Sequence, residues 1–494
     1  MGLFSLKSSH PLAKGQERER LLKLLSSGDA LTALKEATDW LKTLSDAAGM
    51  SFALRSTLIT QIDNAAQRPA RVLSRVYLTT PQLSEQEALK LWRASRGFWA
   101  QLGATYSACL ADFARSSERA ESNRVELTRI TVRLIRAYAV RLQWNQYCYW
   151  PVSDVFWQNI GRGYLYALDN DYQRREISAH PGDREQTTVE REYLRALVFH
   201  VSATDGLLPI EIEIAGGLIN RLSEWFEISA EPQAGYTYSV DPEQRSAPSR
   251  IVGKLEPSLS RIYFSPVAAL APLQRLQERL ERGELPQEMD LARYQSPHIV
   301  LPVVRHLAAC WGEQPRSREH GRYKANMSVT AVSGLNTIRR CLVWPALAQN
   351  MTKKWTIKNV SLNGFQARVP VEPEKPLRIG TLLGIQREDR HGWLVGVVRR
   401  ASRESEIRGL AGVEVLSKSP IAVNAELNGP VEALLLDPPE EGVTVRLIVR
   451  EVAESWDGPM RCAVLGTTFG LVLVELLERG ADFSLVRCRV IEQS

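Results

Sequence analysis

Apolar positions in the first part of the chain recur at helical rather than alternating spacing. Leu31, Leu34, Ala37 and Leu41 lie three or four residues apart, and a loop near Gly49 ends that stretch. A second helix is expected over about 51–65, and a third starts at Ser84, where Glu87 completes a capping box. Leu89, Trp92, Trp99, Leu102 and Tyr106 then set large side chains along one broad face. Further helices are expected over about 121–144 and, once Pro151 has interrupted the pattern, over about 152–170. Thr187 with Glu190 repeats the capping-box spacing ahead of EREYLRALVFHVS. Long helices joined by short loops predict an α-helical bundle over 1–204, without a fixed-period repeat.

The pattern changes near residue 205. IEIEIAGG, WFEISAE, YTYSVD and RIYFSP alternate enough to be read as strands, and 269–292 returns to helical spacing. Residues 205–310 are therefore expected to form a mixed α/β middle domain or connector. The polar stretch 311–325 is expected to be a linker. Beyond it come the strand-like runs NMSVTAVSG, KWTIKNV, GFQARVP, LRIGTLLGI, GWLVGVVRRAS and GLAGVEVLS, which predict a small antiparallel β-barrel over 318–420. Residues 429–494 add strands, either as an extension or as a second small barrel. The expected fold class is multidomain α+β.

Composition narrows the function more than the fold. Of the 494 residues 44% are apolar, enough for several cores, and the net charge of +6 is spread along the chain. No clustered basic stripe stands out, so a nucleic-acid partner is not expected. Six cysteines are scattered without CxxC spacing and are read as reduced, mostly buried thiols. The tryptophans are read as core packing. No uncharged apolar run is long enough for a membrane span. The N-terminus lacks a signal-peptide core, and Leu6 stands where a myristoylation motif wants Ser or Thr. A cytoplasmic protein is expected. GxSxG, HExxH and GxxxxGK[ST] motifs are absent, so neither an enzyme, nor a metal site, nor a cofactor is expected.

Two short motifs carry the candidate chemistry. Arg318 and Arg322 form an RxxxR pair at the entry to the barrel. Guanidinium groups grip phosphate oxygens through paired, charge-assisted hydrogen bonds and also stack on purines. Taken alone, the pair better suits a solvated linker. Asn359, Ser361 and Gly364 form an NxSxxG segment between two strands. Asn359 offers a donor and an acceptor to a base edge, Ser361 a hydroxyl or an amide, and Gly364 either a positive φ or a close approach. An ordinary hairpin turn would use the same residues. His320, between the arginines, and Arg399, on a later strand, are lesser candidates. Arg339, Arg340 and Arg400 remain ambiguous.

Together the motifs resemble the PilZ domain family, in which RxxxR precedes the first barrel strand and [D/N]xSxxG lies at a later strand junction. The resemblance covers about 318–420, including WLVGVVRR and GLAGVEVLS as terminal strands. It implies that the barrel binds cyclic di-GMP, a bacterial second messenger, with Arg318 and Arg322 on phosphate and guanine. Asn359 and Ser361 would then read a guanine, and Gly364 would keep the turn. The long segment between Arg322 and Asn359 exceeds a compact member and is expected to be a surface loop or helix. The chain would then be a receptor whose ligand binding alters packing against the helical region and regulates an unidentified protein partner. Two other readings stay open: a ligand-independent scaffold with a degenerate barrel, and a small-barrel RNA-binding module.

Overall fold

The computed structural model describes residues 10–492, apart from 48, 81–82, 184, 254–259, 287–295, 313–320, 345–351, 372–376, 388–391, 406, 428, 453–455, 457 and 465–466. The chain divides into two compact units. One gathers the helical part of the chain; the other gathers the later strands together with two short stretches, Tyr149–Pro151 and Asp205–Leu208.

The first unit opens with α1 (Gly15–Ser27), α2 (Ala30–Asp46), α3 (Phe52–Thr79), α4 (Glu85–Arg115), α5 (Ala120–Tyr147) and α6 (Asp154–Asp169). α4 packs against α2, α3 and α5, burying Trp92, Phe98, Trp99, Leu102 and Tyr106. Its start has the expected box: Ser84 accepts from the Glu87 amide at 3.3 Å, and Glu87 accepts from the Ser84 amide at 3.1 Å. α7 (Val189–Val201) corrects the other expected cap. Its N-cap is Thr188, which accepts from the Arg191 amide at 3.0 Å. Thr187 is drawn instead into a β-bridge with Ile177, and its hydroxyl donates to Glu192.

A second correction concerns IEIEIAGG, which lies within α8 (Pro209–Arg221) and not in a strand. The Ile–Glu alternation lasts only a few residues. The positions that follow decide the period, because Ile212, Ala215 and Ile219, with Ile214 and Leu218, are buried at helical intervals. Pro209 stands at the first helical position, where a missing N–H costs nothing. The other strand-like runs of this region form a small antiparallel sheet, β1 (Glu227–Ser229), β2 (Tyr238–Val240), β3 (Ser249–Arg250) and β4 (Ile262–Ser265), in the order β1-β4-β2-β3. α9 (Leu270–Glu281) and α10 (Pro297–Trp311) complete the unit.

The second unit contains two closed barrels. The first consists of β5 (Tyr323–Ser333), β6 (Lys353–Val360), β7 (Gly364–Pro370), β8 (Leu382–Arg387), β9 (Trp393–Arg403) and β10 (Arg408–Ser417), joined in the circular order β10-β7-β6-β5-β8-β9. Val329, Trp355, Ile357, Ala367, Ile385 and Val398 are among the side chains filling its interior. The second consists of β11 (Ile421–Glu426), β12 (Pro430–Leu435), β13 (Thr444–Val449), β14 (Met460–Val464), β15 (Thr467–Arg479) and β16 (Ser484–Glu492), in the order β11-β12-β13-β16-β15-β14. The last strands of the sequence thus close on themselves and take in residues 421–426. Tyr149 packs with the first barrel's core, the Arg403 amide donates to its carbonyl at 2.8 Å, and the Arg403 guanidinium lies 5.1 Å from the Trp150 ring centre.

Part of the long segment between Arg322 and Asn359 is a helix, α11 (Leu335–Val343). It is not a surface decoration. Leu335, Ile338 and Cys341 are buried in a cluster shared by both barrels, with Val395 and Val397 from one and Leu434, Ile448 and Leu485 from the other. Arg339 is buried as well, donating to the Val423 carbonyl at 3.2 Å and to Asn424 Oδ1 at 2.5 Å, and pairing with Glu432 at 2.6 Å. Arg340, its neighbour, is exposed. All six cysteines are free thiols, four of them buried.

Candidate ligand site

The β6–β7 hairpin holds the NxSxxG segment. Asn359 closes the end of β6, and its cross-strand neighbour is Gln366 on β7. The Asn359 amide nitrogen donates to Gln366 Oε1 at 2.8 Å, while its Oδ1 is buried and has no hydrogen-bond partner among the described residues. The Ser361 amide donates to the Gly364 carbonyl at 2.7 Å, and the Ser361 hydroxyl to the same oxygen at 3.1 Å. The turn is therefore closed twice by one serine.

Gly364 serves the second of its two expected uses. Its φ is not positive, but a Cβ there would lie 2.2 Å from the Val413 carbonyl oxygen, far inside van der Waals contact. Only glycine lets β7 and β10 approach this closely beside the turn.

Two strands bulge at this level. The β5–β6 register shifts between Lys324 and Met327, and the β6–β7 register shifts between Ile357 and Asn359. Bulges re-aim side chains and commonly stand beside functional sites. In β6, Trp355 and Ile357 point into the barrel, and the bulge frees Asn359 from continuing that inward row. The bulges had no sequence signal beyond the motif itself.

Arg322 immediately precedes β5. Tyr323 pairs with Val360 and Lys324 with Asn359, so one further step of the same register sets Arg322 level with Ser361. Arg322 is exposed, and among the described residues it makes no ion pair. Tyr323, 75% exposed, and Leu362, 66% exposed, flank it as large side chains open to solvent. Sequence reasoning passed over Tyr323 and Gln366; the second could have been found as the residue opposite Asn359 in a tight hairpin. Arg318 and His320 lie outside the described residues.

Arg399 is already engaged. Its Nε donates to Glu414 at 2.6 Å, and its two terminal nitrogens meet Glu478 of β15, one of them at 2.7 Å. Burial opposes its charge, yet the two carboxylates raise its pKa above the ordinary arginine value. Glu414 is in turn the cross-strand neighbour of Gly364. Arg399 thus braces the back of the turn against the second barrel. Arg400 is exposed, and Arg368 pairs with Glu404 at 2.8 Å.

Comparison with known families bears on this barrel directly. Residues 346–421 match the middle PilZ domain of the cyclic-di-GMP receptor FimW. This stretch of the chain is a PilZ domain. Residues 16–233 match the N-terminal domain of the same cyclic-di-GMP receptor, so two successive domains agree in chain order. The PilZ match contains Asn359, Ser361 and Gly364 and begins after β5, so it does not include Arg318 and Arg322. The family descriptions name a receptor and no reaction. No curated protein matches the chain. Among the described residues no group of His, Cys, Asp or Glu could hold a metal ion, and no helix is long and apolar enough to cross a membrane.

Proposed function

We propose that this chain is a cytoplasmic cyclic di-GMP receptor that works by binding and not by catalysis. Arg318 and Arg322 grip phosphate and stack on guanine, Asn359 and Ser361 read a guanine edge, and Gly364 keeps the turn that presents them. The observation carrying this reading is the unpaired Asn359 Oδ1 on β6, a strand with a register shift in each of its two ladders, beside a turn whose Ser361 is level with the exposed Arg322. The barrel's match to the PilZ domain of a cyclic-di-GMP receptor supports it. His320 is a lesser contact. Arg399 would have to exchange a carboxylate for phosphate, which ranks it below the others.

The ligand is doubly anionic, and the arginine-bearing arm would be drawn onto the barrel rim when it binds. Such a movement regulates an output only if the two arrangements differ in ligand affinity. We assign that output to a protein partner of the helical domain.

Calorimetric titration tests the reading with cyclic di-GMP, cyclic di-AMP and GTP, using wild type and Arg318→Ala/Arg322→Ala. Hydrogen bonds to charged groups contribute about 1.5–3 kcal/mol each, so the double variant should bind at least ~100-fold more weakly. Saturable, cyclic di-GMP-selective binding lost in the variant supports the receptor. A folded wild type that binds none of the three nucleotides refutes it and leaves the scaffold reading.

A further inference from the structure

The two barrels share one topology. In each, counting strands from its own start, the first pairs with the second and fourth, the second with the third, the third with the sixth, the fourth with the fifth, and the fifth with the sixth. Every pair is antiparallel, and in both barrels the pairing of fifth with sixth strand carries two register shifts. Strand order in a closed sheet leaves many alternatives, so full agreement points to a repeated unit.

The repeat extends to the ligand-site position. Between the second and third strands, where the first barrel has Asn359, Ser361 and Gly364, the second has Asp437, Pro439 and Gly442 at the same spacing. The chemistry has changed. Proline removes both the hydroxyl and the backbone N–H that close the first turn. Gly442 adopts φ +74° with no atom near its Cβ direction, unlike the crowded Gly364. Asp437 is bound by Arg446, through the Arg446 amide and Nε at 2.9 Å each and through Nη2 at 2.6 Å. Glu440 and Glu441 are exposed beside it and would repel phosphate.

The segment preceding the first strand also differs. Where Arg318 and Arg322 precede β5, Leu416 and Pro420 stand at matching distances before β11. This segment is fixed to the turn: the Ser417 hydroxyl donates to the Leu436 carbonyl at 2.8 Å, and Arg446 Nη2 donates to the Leu416 carbonyl at 3.1 Å. The end of β10 thus holds the position that a ligand-bound arm would take in the first barrel.

We infer that residues 421–492 are a second copy of the same barrel whose ligand mouth has become a fixed joint, so that each chain carries a single dinucleotide site. The location of that one site rests on the proposed function; the joint does not. Hydrogen exchange on the full-length chain, wild type against Arg446→Ala, reads the joint. Exchange should rise at least ~10-fold in 416–420 and 436–446, while protection of 359–366 stays unchanged. Unchanged exchange in the first two segments overturns the joint.

Equilibrium binding of labelled cyclic di-GMP then counts sites by variant rather than by ligand molecules. Asp437→Ala/Arg446→Ala should bind within ~2-fold of wild type, and Arg318→Ala/Arg322→Ala should retain no saturable binding. Residual binding in the arginine variant that disappears when Asp437 and Arg446 are also replaced overturns the single site. A wild type that binds no cyclic di-GMP refutes the proposed function, and the exchange experiment still decides the joint.

Discussion

Asn359 holds half of its hydrogen-bonding capacity in reserve. Its nitrogen is committed to Gln366, while a buried, unpaired carbonyl oxygen costs about 1–3 kcal/mol. A guanine N–H donor would recover that cost on binding. Asn359→Ala removes one hydrogen bond and one orphan together, so thermal stability should change little while cyclic di-GMP affinity falls about 10-fold, equivalent to ~1.4 kcal/mol. A melting curve and a titration on the same sample check both halves. The glycines offer a matched contrast at this scale. At Gly364 a methyl group must displace the Val413 carbonyl, and overpacking costs about 1–3 kcal/mol. At Gly442 it meets no atom but must tolerate left-handed backbone, which costs roughly 1–2 kcal/mol. Gly364→Ala should therefore spread β7 from β10 and weaken ligand binding, whereas Gly442→Ala should lower stability alone. Equal loss of binding in both variants would contradict the division of roles.

At the level of elements, local signals worked where one residue type has one local use. Ser84 and Glu87 mark the start of α4 because side chain and backbone satisfy each other within four residues. The barrel strands were legible because polar turns bound short apolar runs. The pairing of Arg322 with the Asn359 turn was legible only as a family pattern, since residues far apart in sequence meet through strand register. IEIEIAGG misled because its alternation is shorter than the helix containing it. Thr187 misled because a cross-loop bridge and Glu192 compete for it. Glu192 was invisible as a charge centre for the same reason: its partners come from two helices. Burial opposes its charge, but Arg136 at 2.7 Å, Arg195 at 2.6 Å and Thr187 hold its pKa down to about 2. A depressed carboxylate pKa stabilises the fold above its unfolded value and loses that contribution as pH falls through the folded value. The helical unit should thus lose about 3 kcal/mol between pH ~4.5 and ~2. Glu192→Gln strands two arginines, so it should destabilise the unit by about 3–5 kcal/mol at neutral pH and flatten the acid limb. Acid titration of helical circular dichroism, wild type against variant, reads both; an unchanged acid limb would remove Glu192 from the account.

For the whole molecule, the division into two compact units makes a thermodynamic prediction that neither the motifs nor the elements supply. The two family matches fall largely on opposite sides of that division, residues 16–233 in the helical unit apart from Tyr149–Pro151 and Asp205–Leu208, and 346–421 in the barrel unit. Chains with separate cores need not unfold as one cooperative block. A ligand that binds only the folded barrel stabilises that block by RT ln(1 + [L]/Kd), about 2.7 kcal/mol at 100 times Kd. For a block of this size, 1 kcal/mol moves the midpoint by about 2–4 °C. Saturating cyclic di-GMP should therefore raise one calorimetric transition by about 5–10 °C and leave the other in place. Because both barrels share the α11 cluster and the Arg446 joint, they should move together in the shifted transition. Arg318→Ala/Arg322→Ala should abolish the shift without moving either midpoint in the absence of ligand, since Arg322 is exposed. A ligand-induced rise in both transitions would mean that the stabilities of the two units are coupled, and any output to a partner would then have to pass through that coupling rather than through the arm alone.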